Sequence, residues 1–159
     1  MGFTEKRFNI ERFNRLPEEA LTAIVKASFE HWSKLGLCEA KSADEWREYL
    51  RDEDREKPRL HFGVSWNSQV VAMASVVEMD YPPADGDYTP WMANLFVMPE
   101  FRGKGLPNLL MGQRIMALKQ LGYNEVYIKA ETDTDGLYEK SGFVMVEPKQ
   151  RILRRNLRS

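Results

Sequence analysis

The chain has 159 residues and a formal net charge of -1, with 43% hydrophobic and 30% charged residues. These values predict one soluble domain over residues 1–159, and they give no reason to expect nucleic acid or an anionic membrane as a partner. The single cysteine, Cys38, excludes an intramolecular disulfide, and no metal-binding set accompanies it, so we expect no metal. No apolar run approaches the roughly 20 residues of a membrane span, and no signal-peptide core is evident. A cytoplasmic protein is therefore expected.

The first third of the chain is predicted to form one strand and two helices. Loose apolar alternation indicates the strand over Phe3–Phe13. Pro17, followed by two glutamates, is typical of a helix start, and this helix should continue to about Lys34. Ser42 and Glu45 have the spacing of a capping box, which predicts that the second helix begins there.

The middle of the chain is predicted to be mostly strand. Leu60–Trp66 and Gln69–Met79 should form an antiparallel hairpin around the turn Asn67–Ser68. Asp80–Pro90 contains three prolines and one glycine, which indicates a long loop of the kind that is usually functional or mobile. The apolar, aromatic run Trp91–Met98 is typical of a buried strand.

A basic, glycine-rich turn over Phe101–Gly105 then leads into an apolar-periodic helix over Leu106–Leu121, ended by Gly122. A strand, glycine turn and helix in this order direct several free backbone N–H groups towards one point, which attracts phosphate. The spacing differs from that of a nucleoside-triphosphate P-loop and from a Rossmann fingerprint. The pattern therefore predicts a different phosphate-bearing ligand at the start of this helix.

The last part of the chain completes the predicted sheet. It contains a strand over Asn124–Ala130, a short helix over Leu137–Ser141, and an antiparallel pair formed by Phe143–Val146 and Gln150–Leu157. The alternation of arginines with apolar residues in the final segment favours a charged edge strand. The full order is β-α-α-β-β-β-α-β-α-β-β. It predicts a single-domain α/β (α+β) fold with a central mixed, mostly antiparallel sheet flanked by helices.

Two segments together resemble the GNAT superfamily of N-acetyltransferases. Leu95–Leu106 is similar to the family's acetyl-CoA-binding segment, because Arg102-Gly103-Lys104-Gly105 fills most of an Arg/Gln-x-x-Gly-x-Gly/Ala signature. Leu137–Phe143 (LYEKSGF) is similar to the family's second conserved block. The element order also agrees with the family over nearly the whole chain, although before Leu60 the agreement is topological only. Pro107 departs from the signature, where the family has glycine or alanine.

The resemblance implies acetyl-CoA as co-substrate, with its pyrophosphate on the backbone amides at the helix start and its pantetheine along the preceding strand. Pro107 supplies no N–H, so one donor of this cradle is missing. The cofactor-binding residues implied in this way are Leu95, Phe96, Val97, Arg102, Gly103, Lys104, Gly105, Leu106, Pro107, Asn108 and Tyr138.

The resemblance also implies a role for Tyr138 near the thioester sulfur, as general acid or thiolate stabiliser. It implies no definite base, because the strand Trp91–Met98 carries no glutamate. Glu78 and Asp80 are the nearest carboxylates in the predicted topology, and both are candidates. Further candidates are Asn94, through an oriented water, and the two histidines, His31 and His61.

The expected function is transfer of an acetyl group from acetyl-CoA to a primary amine of a small molecule or peptide, by direct attack in a ternary complex. The acceptor site should be formed by the first helix pair, the terminal strands and the loop Asp80–Pro90, whose acidic and aromatic residues favour a cationic acceptor. A homodimer is possible. The alternative is a non-catalytic regulatory module that binds acetyl-CoA or CoA, which Pro107 and the missing strand glutamate would suit. A purely structural domain would require both motifs to be coincidental.

Overall fold

A computed structural model of the chain describes residues 7–78, 88–130 and 136–158. Within these ranges the helices and strands follow the predicted order, which confirms the fold class. The bounds are β1 Asn9–Arg12, α1 Glu18–Lys34, α2 Ala43–Arg51, β2 Leu60–Trp66, β3 Gln69–Val77, β4 Trp91–Val97, α3 Leu106–Gln120, β5 Glu125–Lys129, α4 Leu137–Lys140, β6 Val144–Glu147 and β7 Ile152–Asn156.

The strands form one sheet in the order β1-β2-β3-β4-β5-β7-β6. All neighbouring strands are antiparallel except β4 and β5, which are parallel. The prediction of a mixed, mostly antiparallel sheet is therefore confirmed. The prediction that the last strand lies at an edge is wrong, because β7 pairs with both β5 and β6. Ile152 and Leu153 are fully buried there, and the arginines that follow reach the surface.

The first strand is shorter than predicted. Among the described residues of this segment, Asn9–Arg12 pairs with β2, and a 3-10 turn over Phe13–Arg15 follows it. Phe13, the first residue of this turn, is fully buried, and its ring packs over Gly63, where an added Cβ would come within 2.7 Å of the ring. Residues 1–6, where the prediction began this strand, lie outside the described ranges.

Helices cover both faces of the sheet. On one face, Leu21 and Ile24 of α1 pack with Met73 and Phe96 of the sheet. On the other face, Leu106 and Leu110 of α3 pack in a cluster with Ala72 and other residues of β2 and β3. The capping prediction for α2 is confirmed, since the Glu45 amide donates to Ser42 Oγ at 3.1 Å.

The centre of β4 is distorted in two ways. Between the pairs Met73↔Phe96 and Ser75↔Ala93, β3 advances by two residues and β4 by three, so β4 carries one extra residue. Asn94 lies in this bulge with φ 58°, a left-handed conformation that asparagine tolerates better than most residues. In addition, β4 pairs with β5 only through its first two residues, Trp91↔Tyr127 and Met92↔Ile128, and the two strands separate beyond them.

No helix in the described ranges is long and apolar enough to cross a membrane.

Candidate active site

A cleft of about 860 Å³ opens where β4 and β5 separate, within the roughly 300–1,000 Å³ typical of small-molecule sites. Residues from both faces of the sheet line it. The α3 half of the cleft includes residues of β4, α3 and β5, with Tyr138 of α4 and Ser141 after it: Asn94, Leu95, Pro107, Asn108, Met111, Arg114, Lys129, Tyr138 and Ser141. The α1–α2 half consists of residues from α1, α2 and the segment between them: His31, Trp32, Leu37, Cys38, Glu39, Ala40, Glu45, Trp46 and Tyr49.

Two glycines shape the turn before α3. Gly103 and Gly105 have φ of 78° and 80°, in the left-handed region that disfavours every other common residue type except asparagine and aspartate. Both are exposed, and a Cβ built on either would meet no atom within 4 Å. The glycines are therefore required by the backbone conformation, and the space beside them is open to a ligand.

The start of α3 presents unpaired amides beside the cleft. The Leu109 amide, donating to Gly105 O at 3.3 Å, is the first to bond back into the helix. The amides of Leu106 and Asn108 precede it and have no acceptor within the helix, while Pro107, at the second helical position, has no N–H. The positive end of the helix dipole adds to these donors, so the position suits an anion such as a phosphate.

The side chains around this turn divide into two groups. Arg102 and Lys104 are exposed, and Arg102 Nε donates to Val97 O at 3.1 Å, which ties the guanidinium back to the end of β4. Leu106 is 0% exposed and packs in the core, so only its backbone can serve a ligand.

The edge of β4 that faces β5 is the second feature of the α3 half. Phe96 and Val97 are paired with β3 on one edge of the strand, but β5 has already separated from the other edge. Their side chains are buried, and Leu95 lines the cleft. Backbone groups on such an edge need a hydrogen-bond partner, and an extended ligand can supply one.

Tyr138 lies on α4 and lines the same half of the cleft. Its carbonyl accepts hydrogen bonds from the amides of Ser141 and Phe143, both at 3.0 Å, which fixes the backbone after the short helix. Its ring meets the Phe143 ring edge to face, with centroids 6.0 Å apart. Tyr138 is thus held on a packed support beside the gap between β4 and β5.

Arg114 of α3 is a feature of the cleft that the sequence analysis missed. It is 2% exposed and lines the cleft. Nε donates to Leu110 O at 3.2 Å and Nη1 donates to Ser75 O at 3.3 Å. Burial lowers the pKa of Arg114 to about 10, while the charge of Tyr138 acts in the opposite direction. The signal was present in the sequence, because Arg114 stands at helical spacing between Leu110 and Leu118.

A buried polar chain supports Asn94 from behind. Asn94 Nδ2 donates to Ser75 Oγ at 3.3 Å, and Ser75 Oγ is 2.6 Å from His61 Nδ1. His61 is 0% exposed, and its Nε2 has no hydrogen-bond partner among the described residues. Burial, with a smaller effect from Arg59, lowers the pKa of His61 to about 3, so this imidazole is neutral at physiological pH.

Aromatic rings form the wall of the α1–α2 half. Trp32 meets Trp46 at 5.6 Å and Phe96 at 5.8 Å, and Trp46 stacks on Tyr49 at 5.3 Å. Tyr49 in turn packs edge to face against His61 at 4.9 Å. Trp46 Nε1 donates to Ser28 Oγ at 2.9 Å, so its polar atom is satisfied away from the cleft.

Charged and polar groups complete the rim of this half. Glu39 and Glu45 line it, and both are exposed. Glu45 Oε2 accepts a hydrogen bond from the Lys41 amide at 2.6 Å. Cys38 is half-buried and also lines the cleft. An apolar aromatic wall with carboxylates at its rim suits a ligand that carries a positive charge next to an apolar body.

The remaining predicted residues lie elsewhere. Glu78 is exposed at the end of β3 and does not line the cleft. Its charge acts on Tyr123, which follows α3, where burial, then Asp54, then Glu78 raise the pKa of that tyrosine. Asp80 and most of the loop Asp80–Pro90 lie outside the described residues. His31 lines the cleft at the end of α1, with its ring 5.3 Å from that of Phe96.

The terminal strands were expected to help form the acceptor site, but no residue of β6 or β7 lines the cleft. Across residues 7–78, 88–130 and 136–158, no group of three or more His, Cys, Asp or Glu side chains is arranged to hold a metal ion.

Comparisons with known proteins agree with this architecture. The acetyltransferase (GNAT) family matches residues 20–143 of the chain. Comparison with curated proteins gave no match. Among solved structures, an acetyltransferase of the GNAT family from Staphylococcus aureus Mu50 superposes with a TM-score of 0.68 at 14% identity, over 96% of this chain and 100% of that one.

Two similar structures were solved with a ligand. PaiA N-acetyltransferase from Thermoplasma acidophilum, in complex with coenzyme A, has a TM-score of 0.67 at 14% identity, over 94% of this chain and 99% of that one. A predicted acetyltransferase from Clostridium acetobutylicum, with acetyl-CoA, has a TM-score of 0.62 at 16% identity, over 89% and 92%. Identities this low establish a shared fold only.

The sheet with its separating β4 and β5, the amide-rich start of α3 and the two-sided cleft define the fold of an acetyltransferase. Because the family match extends over most of the chain, the protein belongs to the acetyltransferase (GNAT) family. Acetyl transfer is accordingly its reaction class.

Proposed function

We propose that the protein is an N-acetyltransferase that moves the acetyl group of acetyl-CoA to a primary amine of a small molecule or peptide, by direct attack in a ternary complex. One observation carries this proposal. A single cleft joins the start of α3 and Tyr138 on one side to the aromatic, carboxylate-rimmed wall of α1 and α2 on the other. Such a cleft can hold an acyl donor and an acceptor at the same time.

The α3 half fits acetyl-CoA. The amides of Leu106 and Asn108 would hold the pyrophosphate, and the positive φ of Gly103 and Gly105 lets the backbone approach it. The β5-side edge of β4 at Leu95–Val97 would pair with the pantetheine. Pro107 removes one donor from the cradle. When bound, acetyl-CoA supplies an activated acetyl group and a thiol leaving group.

The α1–α2 half fits the acceptor. Trp32, Trp46 and Tyr49 offer apolar area, and Glu39 and Glu45 attract an ammonium group from solution. An amine must lose a proton before it attacks. The hydrogen bond to Ser75 fixes the side chain of Asn94, which orients a water molecule in the cleft. This water takes the proton from the amine.

Tyr138 acts on the leaving group. Tyr138 lines the same half of the cleft as Asn108 at the start of α3, and its hydroxyl would donate a proton to the departing sulfur. Glu78 and Asp80 remain the carboxylate candidates for the base. Because Glu78 is exposed and does not line the cleft, water is favoured over this carboxylate as the group that contacts the amine and takes its proton.

Two measurements test this function. Acetyl-CoA should raise the melting temperature by mass action, and release of free thiol should follow when amines from a panel are added. The panel should include arylalkylamines, polyamines, amino acids and a peptide N-terminus. Failure of acetyl-CoA to shift the melting temperature at millimolar concentration would contradict the proposal. Binding without turnover on every amine would favour the regulatory alternative.

A further inference from the structure

One residue breaks the pattern of the buried face of α3. Leu106, Leu110 and Leu118 occupy that face at multiples of four residues, and each is 0% exposed. Arg114 fills the remaining place in the series and is 2% exposed. Burial of a guanidinium costs hydration free energy that a leucine would not lose. A charge retained at a leucine position therefore needs an explanation in what it faces.

The hydrogen bonds of Arg114 fix the guanidinium without neutralising it. Its two bonds, from Nε and Nη1, go to the carbonyl oxygens of Leu110 and Ser75. Both acceptors are uncharged. Within the described ranges, no ion pair includes Arg114. Arg114 lines the cleft, and its positive charge is therefore not paired with any described carboxylate.

The titratable groups around Arg114 can be named. Tyr138 acts on Arg114 electrostatically from α4, and Lys129 lines the same half of the cleft from β5. Leu110 and Ser75, its bonded neighbours, do not titrate. The titratable groups on the opposite wall are His31, Cys38, Glu39, Glu45 and Tyr49. Every described carboxylate of the cleft thus lies in the α1–α2 half, and the α3 half carries only cations and a phenol.

The proposed reaction develops negative charge in that half. The amine nitrogen forms a bond to the acetyl carbon, and the carbon–sulfur bond breaks. The sulfur keeps the bonding pair, the amine loses one proton to water, and the sulfur gains one proton. Until that proton arrives, the leaving group is a thiolate.

We propose that Arg114 stabilises the CoA thiolate as it leaves, and so acts with Tyr138 on the donor side of the reaction. The inference rests on the proposed function. Arg114 is 2% exposed, and a fixed positive charge that water screens little stabilises a developing anion more strongly than an exposed charge would. Tyr138 supplies the proton, and Arg114 lowers the free energy of the anion before the proton is transferred.

The test compares binding of CoA and of desulfo-CoA, its analogue without the sulfur, by calorimetry from about pH 6.5 to about pH 9. The pKa of a cysteine thiol, about 8.5, lies inside this interval, and the free thiol of CoA, which lacks the neighbouring backbone amides of cysteine, is a weaker acid. If the site lowers the pKa of the bound thiol, CoA should gain affinity relative to desulfo-CoA as the pH rises. The gain is about tenfold for each unit by which the bound pKa is lowered.

The variants separate charge from structure. Arg114→Leu completes the leucine series and should fold, with a melting temperature equal to or above that of the native protein. This variant should lose the alkaline gain, and Arg114→Gln should lose it too, whereas Arg114→Lys should keep part of it. Lys119→Gln removes a charge from an exposed position of the same helix and should keep the whole gain.

Two results would overturn the inference. One is a ratio of CoA affinity to desulfo-CoA affinity in the native protein that does not change with pH. The other is a full alkaline gain in Arg114→Leu, including the case in which this variant binds both ligands equally more weakly. In each case acetyl-CoA can still bind the native protein and amines can still be acetylated. Failure here is therefore distinguishable from failure of the proposed function.

Discussion

The two halves of the cleft are built in different ways. The α3 half relies on backbone: the left-handed glycines before α3, the first amides of that helix and the exposed edge of β4. The α1–α2 half relies on side chains, chiefly the rings of Trp32, Trp46 and Tyr49 with the rim carboxylates. A constant ligand can be held by backbone geometry, which a short motif encodes. A specific acceptor requires side chains from separate segments.

The largest expected effect belongs to the α3 half. Tyr138→Phe should lower kcat by at least about 100-fold, because the sulfur loses its proton donor, while acetyl-CoA still binds. Steady-state kinetics and a calorimetric titration measure the two quantities. Tyr123→Phe is the matched control, since that tyrosine does not line the cleft and should leave kcat within about twofold. An unchanged kcat in Tyr138→Phe would remove this residue from the mechanism.

The next effect concerns the support of the α1–α2 half. The pKa of His61 is lowered by burial to about 3, below the ordinary value of 6.5. The unfolded chain therefore binds an extra proton between these values, so stability is full above about pH 6.5 and falls as the pH drops. The free energy of unfolding should fall by up to about 1.4 kcal/mol per pH unit over this window.

Urea unfolding at several pH values measures this slope. His61→Leu should reduce the slope by the contribution of about one bound proton, about 1.4 kcal/mol per pH unit. His31→Gln, which removes the exposed histidine, should leave the slope unchanged. An equal slope in native protein and His61→Leu would contradict the buried, neutral assignment of His61.

A glycine pair tests whether the turn before α3 is a binding element. Gly105→Ala and Gly36→Ala place a Cβ at φ of 80° and 70°, and neither Cβ meets an atom within 4 Å. Both should lose a similar stability, about 1–2 kcal/mol, through backbone strain. Only Gly105→Ala should also weaken acetyl-CoA binding, by about tenfold, because its Cβ would occupy open space next to the amides that are proposed to hold the pyrophosphate. Equal affinities in the two variants would show that the turn does not contact the ligand.

The smallest effect is expected at the rim of the α1–α2 half. Glu39→Gln should raise KM for a cationic amine several-fold, about 2–5-fold, through loss of an exposed and therefore screened charge. KM for acetyl-CoA should not change. Glu48→Gln is the control, because this exposed carboxylate of α2 does not line the cleft. A rise in KM that persists at high salt would contradict the electrostatic explanation.

Much of the fold follows from local patterns. Ser42 and Glu45 predicted the start of α2, and Asn67–Ser68, both at positive φ, predicted the β2–β3 turn. The position of β7 could not be predicted in this way. Its arginines suggested an edge strand, but strand neighbours are decided by long-range pairing, and β7 inserts between β5 and β6.

In the site, too, features that depend on local sequence could be predicted, and features that depend on distant segments could not. The glycine turn and Tyr138 belong to contiguous motifs, so their place near the cleft could be predicted. His61 could not, because it differs from an ordinary polar residue only in being buried by elements distant in the sequence. The spacing of Arg114 between Leu110 and Leu118 was a local signal of a buried position, but the cleft that it lines is formed by elements distant in the sequence. The bulge at Asn94 depends on register against β3 and has no local signature. For the aromatic wall, the sequence predicted that the first helix pair helps to form the acceptor site, but it did not predict which side chains line it.

The proposed function requires that acetyl-CoA and the amine occupy one cleft together. Initial rates with acetyl-CoA and a responsive amine, each varied at several fixed concentrations of the other, test this directly. Direct attack in a ternary complex predicts double-reciprocal lines that intersect. Parallel lines would contradict it, because they indicate an acetylated protein intermediate, for which Cys38 in the cleft would be the first residue to replace.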